Sequence, residues 1–193
     1  MAEKFLNKVY DARDAASTRK LYDDWSDSYE AEVAENGYVT PGRCAKALAS
    51  TMDDKTLPVM DFGCGTGLSG LALSLEGFTT LDGLDLSKDM LAQARSKNIY
   101  RRLSQIDTDG PLPFSKGDYA AIAAIGVIGA GAAPISVLHS LMNALGTGGK
   151  LVLSFNDHAL ADPHNEAGGN EWLDCGAAGG RGGEWGGLRG RGW

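Results

Sequence analysis

Apolar residues fall into short runs separated by stretches with helical spacing, the alternation expected of a sheet interleaved with helices. A helix is predicted over about 16–35, where Leu21, Trp25 and Tyr29 recur near one helical face. Thr40-Pro41 supplies an N-cap and a first-turn proline for a second helix through about Ser50. The apolar run at about 57–61 predicts strand one. Its helix covers about 67–75 and is ended by Gly77. Strand two, about 80–85, meets Ser87 as the N-cap of the next helix. Strands at about 100–106, 119–125 and 150–155, with a helix at about 134–145, complete the pattern. Such alternation means an α/β fold, a doubly wound parallel sheet with helices on both faces.

Between Tyr119 and Gly149 the chain has no Asp, Glu, Lys or Arg, long enough to raise a membrane-spanning reading. The run is largely Ala and Gly with Pro134 and His139 inside it, and divides into a strand, a loop and a helix. Tyr119 to Ile125 has the continuous apolar character of a strand buried on both faces. Beyond about Glu166 the composition shifts to Gly and Arg, and no strand pattern survives. The chain therefore divides into an N-terminal helical cap (1–50), a core (51–165) and a Gly-rich, irregular tail (166–193).

The chemistry concentrates at strand one. Asp61-Phe-Gly-Cys-Gly-Thr-Gly67 ends a strand in a carboxylate and enters a turn through Gly63, Gly65 and Gly67, which lets backbone N–H groups approach a ligand. An acid at that point repels a pyrophosphate and suits a ligand carrying an ammonium or sulfonium. Gly65-Thr-Gly67-Leu-Ser-Gly70 also satisfies the G-x-G-x-x-G pattern of dinucleotide sites, with Asp85 about twenty residues on. That pattern normally opens the first βαβ unit, and here some fifty residues precede it.

Asp61 to Gly67, with Leu84-Asp-Leu-Ser-Lys-Asp-Met-Leu91, resembles the motif I segment and second-strand acid of class I S-adenosylmethionine (SAM) dependent methyltransferases. Tyr22-Asp-Asp-Trp-Ser-Asp-Ser-Tyr29 and Tyr100-Arg-Arg-Leu-Ser104 further resemble one branch of that family. The resemblance implies a Rossmann-like sheet of order 3-2-1-4-5 and SAM as cofactor, with S-adenosylhomocysteine as product. The family's closing antiparallel strands six and seven have no counterpart in the glycine-rich tail. The implied cofactor-binding residues are Asp61, Gly63, Cys64, Gly65 and Gly67 in the loop; Asp85, holding the ribose hydroxyls; Leu86 and Met90, the latter beside adenine; Ile106 and Asp107, facing the adenine amino group; and Gly126. Each has a plainer reading: Asp85 can favour a helix start, Asp107 can belong to a turn, and Met90 can be core. Tyr29, from an aromatic stripe with Tyr22 and Trp25 that reads equally as core or as a lid, and His158 are candidate acceptor-side catalytic residues.

Methyl transfer from a sulfonium requires positioning more than acid–base chemistry, so no metal is expected. His139, His158, His164 and the three cysteines (Cys44, Cys64, Cys175) form no ligand spacing. A net charge of −7 disfavours a nucleic-acid partner and leaves a small-molecule acceptor first, a protein side chain second. Ile125-Gly-Val-Ile128 also lacks the Asn/Asp-Pro-Pro-aromatic motif of enzymes that methylate planar amides and amines. The start of the chain has no apolar signal core, which points to a cytoplasmic protein without a membrane partner; no oligomeric state is implied. A SAM-binding module without turnover and a nicotinamide-dependent oxidoreductase are the competing functions.

Overall fold

In the computed structural model, which describes residues 15–35, 37–107, 110–128, 133–134 and 136–154, the parallel sheet forms as the alternation predicts. Five strands, β1 (Val59–Phe62), β2 (Leu81–Asp85), β3 (Arg102–Gln105), β4 (Ala121–Ala124) and β5 (Lys150–Leu153), lie in the order β3-β2-β1-β4-β5. Every pairing is parallel, with Val59 beside Leu81 and Ala121, Asp82 beside Arg102, and Ala121 beside Lys150. β1 and β4 are buried along their whole length because helices cover both faces, while β3 and β5, at the sheet's two ends, are partly exposed.

The two-residue period of a strand sorts these side chains onto two cores. Val59, Leu81, Ala121 and Ala123 pack with Cys44, Leu48, Leu73 and Phe78, under α3 (Thr40–Ala49) and α4 (Leu68–Leu75). Met60, Phe62, Leu84, Ile122 and Ala124 pack with Leu138 and Leu141 of α6 (Ser136–Ala144) on the other face. α5 (Lys88–Ser96) connects β2 to β3, and Ser87 caps it by accepting the Met90 N–H at 3.1 Å. Among the described residues, no helix is long and apolar enough to cross a membrane.

Three local expectations are corrected. The single helix over 16–35 is two, α1 (Ala15–Trp25) and α2 (Tyr29–Glu35), separated at Ser26–Ser28. The Ser26 hydroxyl returns to the Asp23 carbonyl at 3.0 Å and the Ser28 hydroxyl donates to Glu32 at 2.8 Å. Short polar side chains thus compete with the helical ladder and break it. Thr40 is the first residue of α3 and not its cap; Val39 stands at the N-cap with no side-chain bond. Strands three, four and five are each shorter than predicted by a residue or two at one or both ends. The glycine-rich tail lies outside the described residues.

Candidate cofactor-binding site

The carboxyl ends of β1, β2, β3 and β4 present Asp61, Asp85, Asp107 and Gly126 along one edge of the sheet, with the glycine loop between the first two. The loop turns tightly: Gly63 and Cys64 N–H groups both donate to the Leu84 carbonyl, at 2.8 and 2.9 Å, and Gly67 N–H donates to the Cys64 carbonyl. Gly63 has φ +69° and sits so close to Val127 that a Cβ there would overlap its side chain. Gly65, at φ +53°, differs: nothing lies within 4 Å of where its Cβ would be, so the loop borders open space at that point.

Asp85 ties this loop to the start of α5. Its Oδ2 accepts the Gly65 N–H at 2.8 Å and its Oδ1 the Ser87 N–H at 2.9 Å. The helix-start reading of Asp85 is therefore seen directly, and each oxygen retains accepting capacity for a further donor. Burial pushes its pKa up, against the pull of those N–H groups. A pair of vicinal hydroxyls beside Gly65 would meet these remaining lone pairs, which is how the residues present fit the ribose of SAM.

Asp61 is fully buried. Its Oδ2 accepts hydrogen bonds from Ser69 Oγ at 2.7 Å and Tyr100 Oη at 2.6 Å, while Oδ1 makes no hydrogen bond of ordinary geometry. Burial pushes its pKa up to about 6, with Ser69 and Tyr100 opposing and the negative charge of Asp85 assisting. A cationic ligand group suits such a carboxylate. Cys64 is buried beside it, its thiol pushed well up by burial and by both acids, the state of an unreactive cysteine.

The remaining predicted residues divide. Met90 is packed as core, 1% exposed. Leu86 is half-buried, its carbonyl accepting from Gln105 Nε2 at 2.8 Å. Ile106 is half-buried and donates its N–H to the Asp85 carbonyl. Asp107 is exposed and pairs with Arg19 of α1 at 2.6 Å. Gly126 donates its N–H to Ser154 Oγ at 2.7 Å, and a Cβ there would press on the Tyr38 hydroxyl. His158 lies outside the described residues.

The N-terminal helices close over this edge. Trp25, 2% exposed, and Val33 pack with Tyr22, Tyr29, Tyr38 and Leu68, the first residue of α4. The Tyr29 ring meets Trp25 edge-on at 4.8 Å. Of the two readings of the stripe, Trp25 shows the core one: it is the buried centre of a small cluster in which Tyr29 is half-buried. Burial, assisted by Asp85, pushes the Tyr29 phenol up to about 12. Polar contacts join the cap to the sheet: the Ser87 hydroxyl donates to Asp23, Gln93 Nε2 to the Ser26 carbonyl at 2.6 Å, and Lys97 Nζ to Glu30 at 2.5 Å and to the Thr66 carbonyl at 2.9 Å. Sequence reasoning missed Arg19, Asp23, Ser69, Lys97 and Tyr100 as members of this region. Only Tyr100 left a trace, in Gly70, whose need for space becomes visible once its ring is placed.

A strand-one carboxylate, a three-glycine turn and a second-strand acid bonded to that turn are thus brought together at one edge of the sheet. The family model described as a methyltransferase domain matches residues 59–149, and together with the fold this supports a class I SAM-dependent methyltransferase domain over that segment. It is 33% identical over 132 residues to human methyltransferase-like protein 27, covering 66% of this chain and 54% of that protein. It is 39% identical over 70 residues to the 18S rRNA (guanine(1575)-N(7))-methyltransferase of Saccharomyces cerevisiae, covering 36% of this chain and 26% of that protein. The chain spans no more than about half the length of these curated relatives. In fold it is similar to the putative methyltransferase crystallised with the Haloferax volcanii Trm112 activator (TM-score 0.53, 23% identity, 68% of this chain and 58% of that one). It is also similar to the CcbJ methyltransferase of Streptomyces caelestis (TM-score 0.52, 22% identity, 68% and 56%). The G-x-G-x-x-G match to dinucleotide sites accordingly gives way: the glycine pattern belongs to a methyltransferase domain.

Proposed function

We propose that this chain binds SAM at the edge formed by Asp61, Gly63, Gly65, Gly67 and Asp85 and transfers its methyl group to a small-molecule acceptor. The observation that carries the reading is Asp85: its two oxygens hold Gly65 and Ser87 N–H groups, keep accepting capacity for a further donor, and lie beside Gly65, where the loop borders open space. Asp61, with an oxygen left without a hydrogen-bond partner, suits the ammonium of the same ligand.

SAM, when bound, brings a methyl group already activated on sulfur, so that the S–CH3 bond breaks as the acceptor–CH3 bond forms and the electron pair stays on sulfur. What this chain adds is alignment and exclusion of water. The cap serves both, because Arg19–Asp107, Asp23–Ser87 and Lys97–Glu30 fix it across the ends of β2 and β3 and the loop. Tyr29, with its pKa pushed up to about 12, is protonated at neutral pH; it can donate a hydrogen bond to an acceptor and is not the base. A cap joined to the sheet at so many points favours an acceptor small enough to lie beneath it, and the net charge of −7 works against a polyanion.

Thermal unfolding with SAM, S-adenosylhomocysteine or NAD tests the cofactor: the first two raise the midpoint and NAD leaves it unchanged. Methyl-labelled SAM incubated with the protein and a cell extract tests the acceptor, with label expected in the small-molecule fraction. The relatedness to an 18S rRNA guanine methyltransferase makes RNA the instructive alternative, and label in RNA or protein would overturn the acceptor class.

A further inference from the structure

Tyr100 belongs to no motif that binds a nucleoside, and it precedes β3 by two residues, outside the glycine loop. Its surroundings are nevertheless arranged around it. The ring lies 3.3 Å from where a Cβ on Gly67 would stand and 3.2 Å from one on Gly83, and a Cβ on Gly70 would overlap its hydroxyl. Gly70 sits within α4 and Gly83 in the middle of β2. Neither is among the glycines with positive φ, and glycine weakens both kinds of element. Gly70 thus leaves a slot filled by one aromatic ring, which Gly83, also crowded by Leu103 and Cys64, and Gly67 border. At the end of that slot the Tyr100 hydroxyl donates to Asp61 Oδ2 at 2.6 Å, beside the Ser69 hydroxyl at 2.7 Å.

We propose that Tyr100 is a positioning residue for the methyl donor: its ring fills the slot beneath the glycine loop and its hydroxyl holds the Asp61 carboxylate ionised and oriented toward the donor's cationic end. The proposal rests on SAM binding at this edge. Asp61 needs such help, because burial pushes its pKa up to about 6 and the negative charge of Asp85 acts in the same direction. The groups around it offer little else. Cys64 from the loop has its thiol pushed far up, Tyr38 ahead of α3 is held protonated by burial, and Tyr100 itself is pushed far up and remains a donor. Lys97 of α5 is committed to Glu30 and the Thr66 carbonyl. Ser69 from α4 is the second donor, and the Gly70 N–H adds a weaker contribution.

The test is the pH profile of S-adenosylhomocysteine binding, measured by calorimetry from pH 5 to 8.5 on the full chain and on Tyr100→Phe, which keeps the ring and removes the hydroxyl. In the parent protein affinity is level above the Asp61 titration and falls as pH drops through it. Loss of one hydrogen bond to a charged group shifts that midpoint up by about one to two pH units. Affinity at pH 6.5 then falls about 3- to 25-fold and returns to within roughly a factor of 1.5 at pH 8.5. Without ligand, the decline of stability with rising pH that Asp61 ionisation produces extends upward by the same interval. An unchanged midpoint, or a loss equal at every pH, overturns the proposal. If Tyr100→Phe does not fold, Ser69→Ala, which removes the companion donor on the same oxygen, must move the midpoint in the same direction. A parent protein that binds no S-adenosylhomocysteine at any pH overturns the proposed function instead, and the ligand-free titration then decides whether Tyr100 governs Asp61.

Discussion

Replacing Asp85 with Ala separates the two tasks this side chain performs. In the folded chain it accepts the Gly65 and Ser87 N–H groups at 2.8 and 2.9 Å. Removing it leaves both donors without that acceptor, at about 1–3 kcal/mol each where water cannot replace it. The variant also relieves the chain of a buried carboxylate whose ionisation is opposed by desolvation, which offsets part of the loss. A net destabilisation of about 1–3 kcal/mol is expected in urea unfolding. The effect on S-adenosylhomocysteine is larger and independent: each charge-assisted bond from a ribose hydroxyl contributes about 1.5–3 kcal/mol, or roughly 10- to 150-fold in affinity. Calorimetry on the folded variant reads that loss. Full retention of affinity with reduced stability would mean that Asp85 only joins the loop to α5, and no change in either would refute the hydrogen-bond account altogether.

Trp25→Ala removes the buried centre of the cap, at about 3–5 kcal/mol if the cap unfolds together with the sheet, and hydrogen exchange over 15–35 should rise. Tyr29→Ala, at the rim, should change stability far less while shortening ligand retention; the reverse ranking would make Tyr29 the core residue. Gly70→Ala puts a methyl group onto the Tyr100 hydroxyl and should cost about 1–3 kcal/mol in denaturant unfolding, with Tyr100→Phe restoring part of it as a double variant. At the opposite edge of the sheet, Asp82 is held by Arg101 at 2.6 Å and Tyr119 at 2.8 Å, which together keep its pKa below the usual value in spite of burial. Because the folded pKa is depressed, that stabilisation is present above about pH 4 and is lost as pH falls through it. Arg101→Ala should therefore lower stability modestly at neutral pH, because Arg101 is half exposed, and less in acid, and leave ligand affinity unchanged.

Period and punctuation in the chain determined the parallel sheet and the edge that bears the site, because a short apolar run followed by an amphipathic helix can bury both faces in few ways, while the order of its strands was implied by the resemblance of its motifs to a known family. Asp61, the loop glycines and Asp85 were legible for the same reason: they lie where strands end, and position along a strand is a local property. The break at Ser26–Ser28 was written in the chain as well, in a Ser26 able to bond the backbone nearby, but an aromatic spacing that continued across it concealed it. Tertiary structure alone decided which distant residues complete the site. Nothing in the spacing of Tyr100 and Asp61, 39 residues apart, or of Asp23 and Ser87, 64 apart, signals a contact. Those pairings arise when crossover helices bring separate segments to one edge. Gly70 shows the limit most directly: it is a missing side chain whose reason is an aromatic ring contributed from elsewhere in the chain, and only the packed fold supplies that ring.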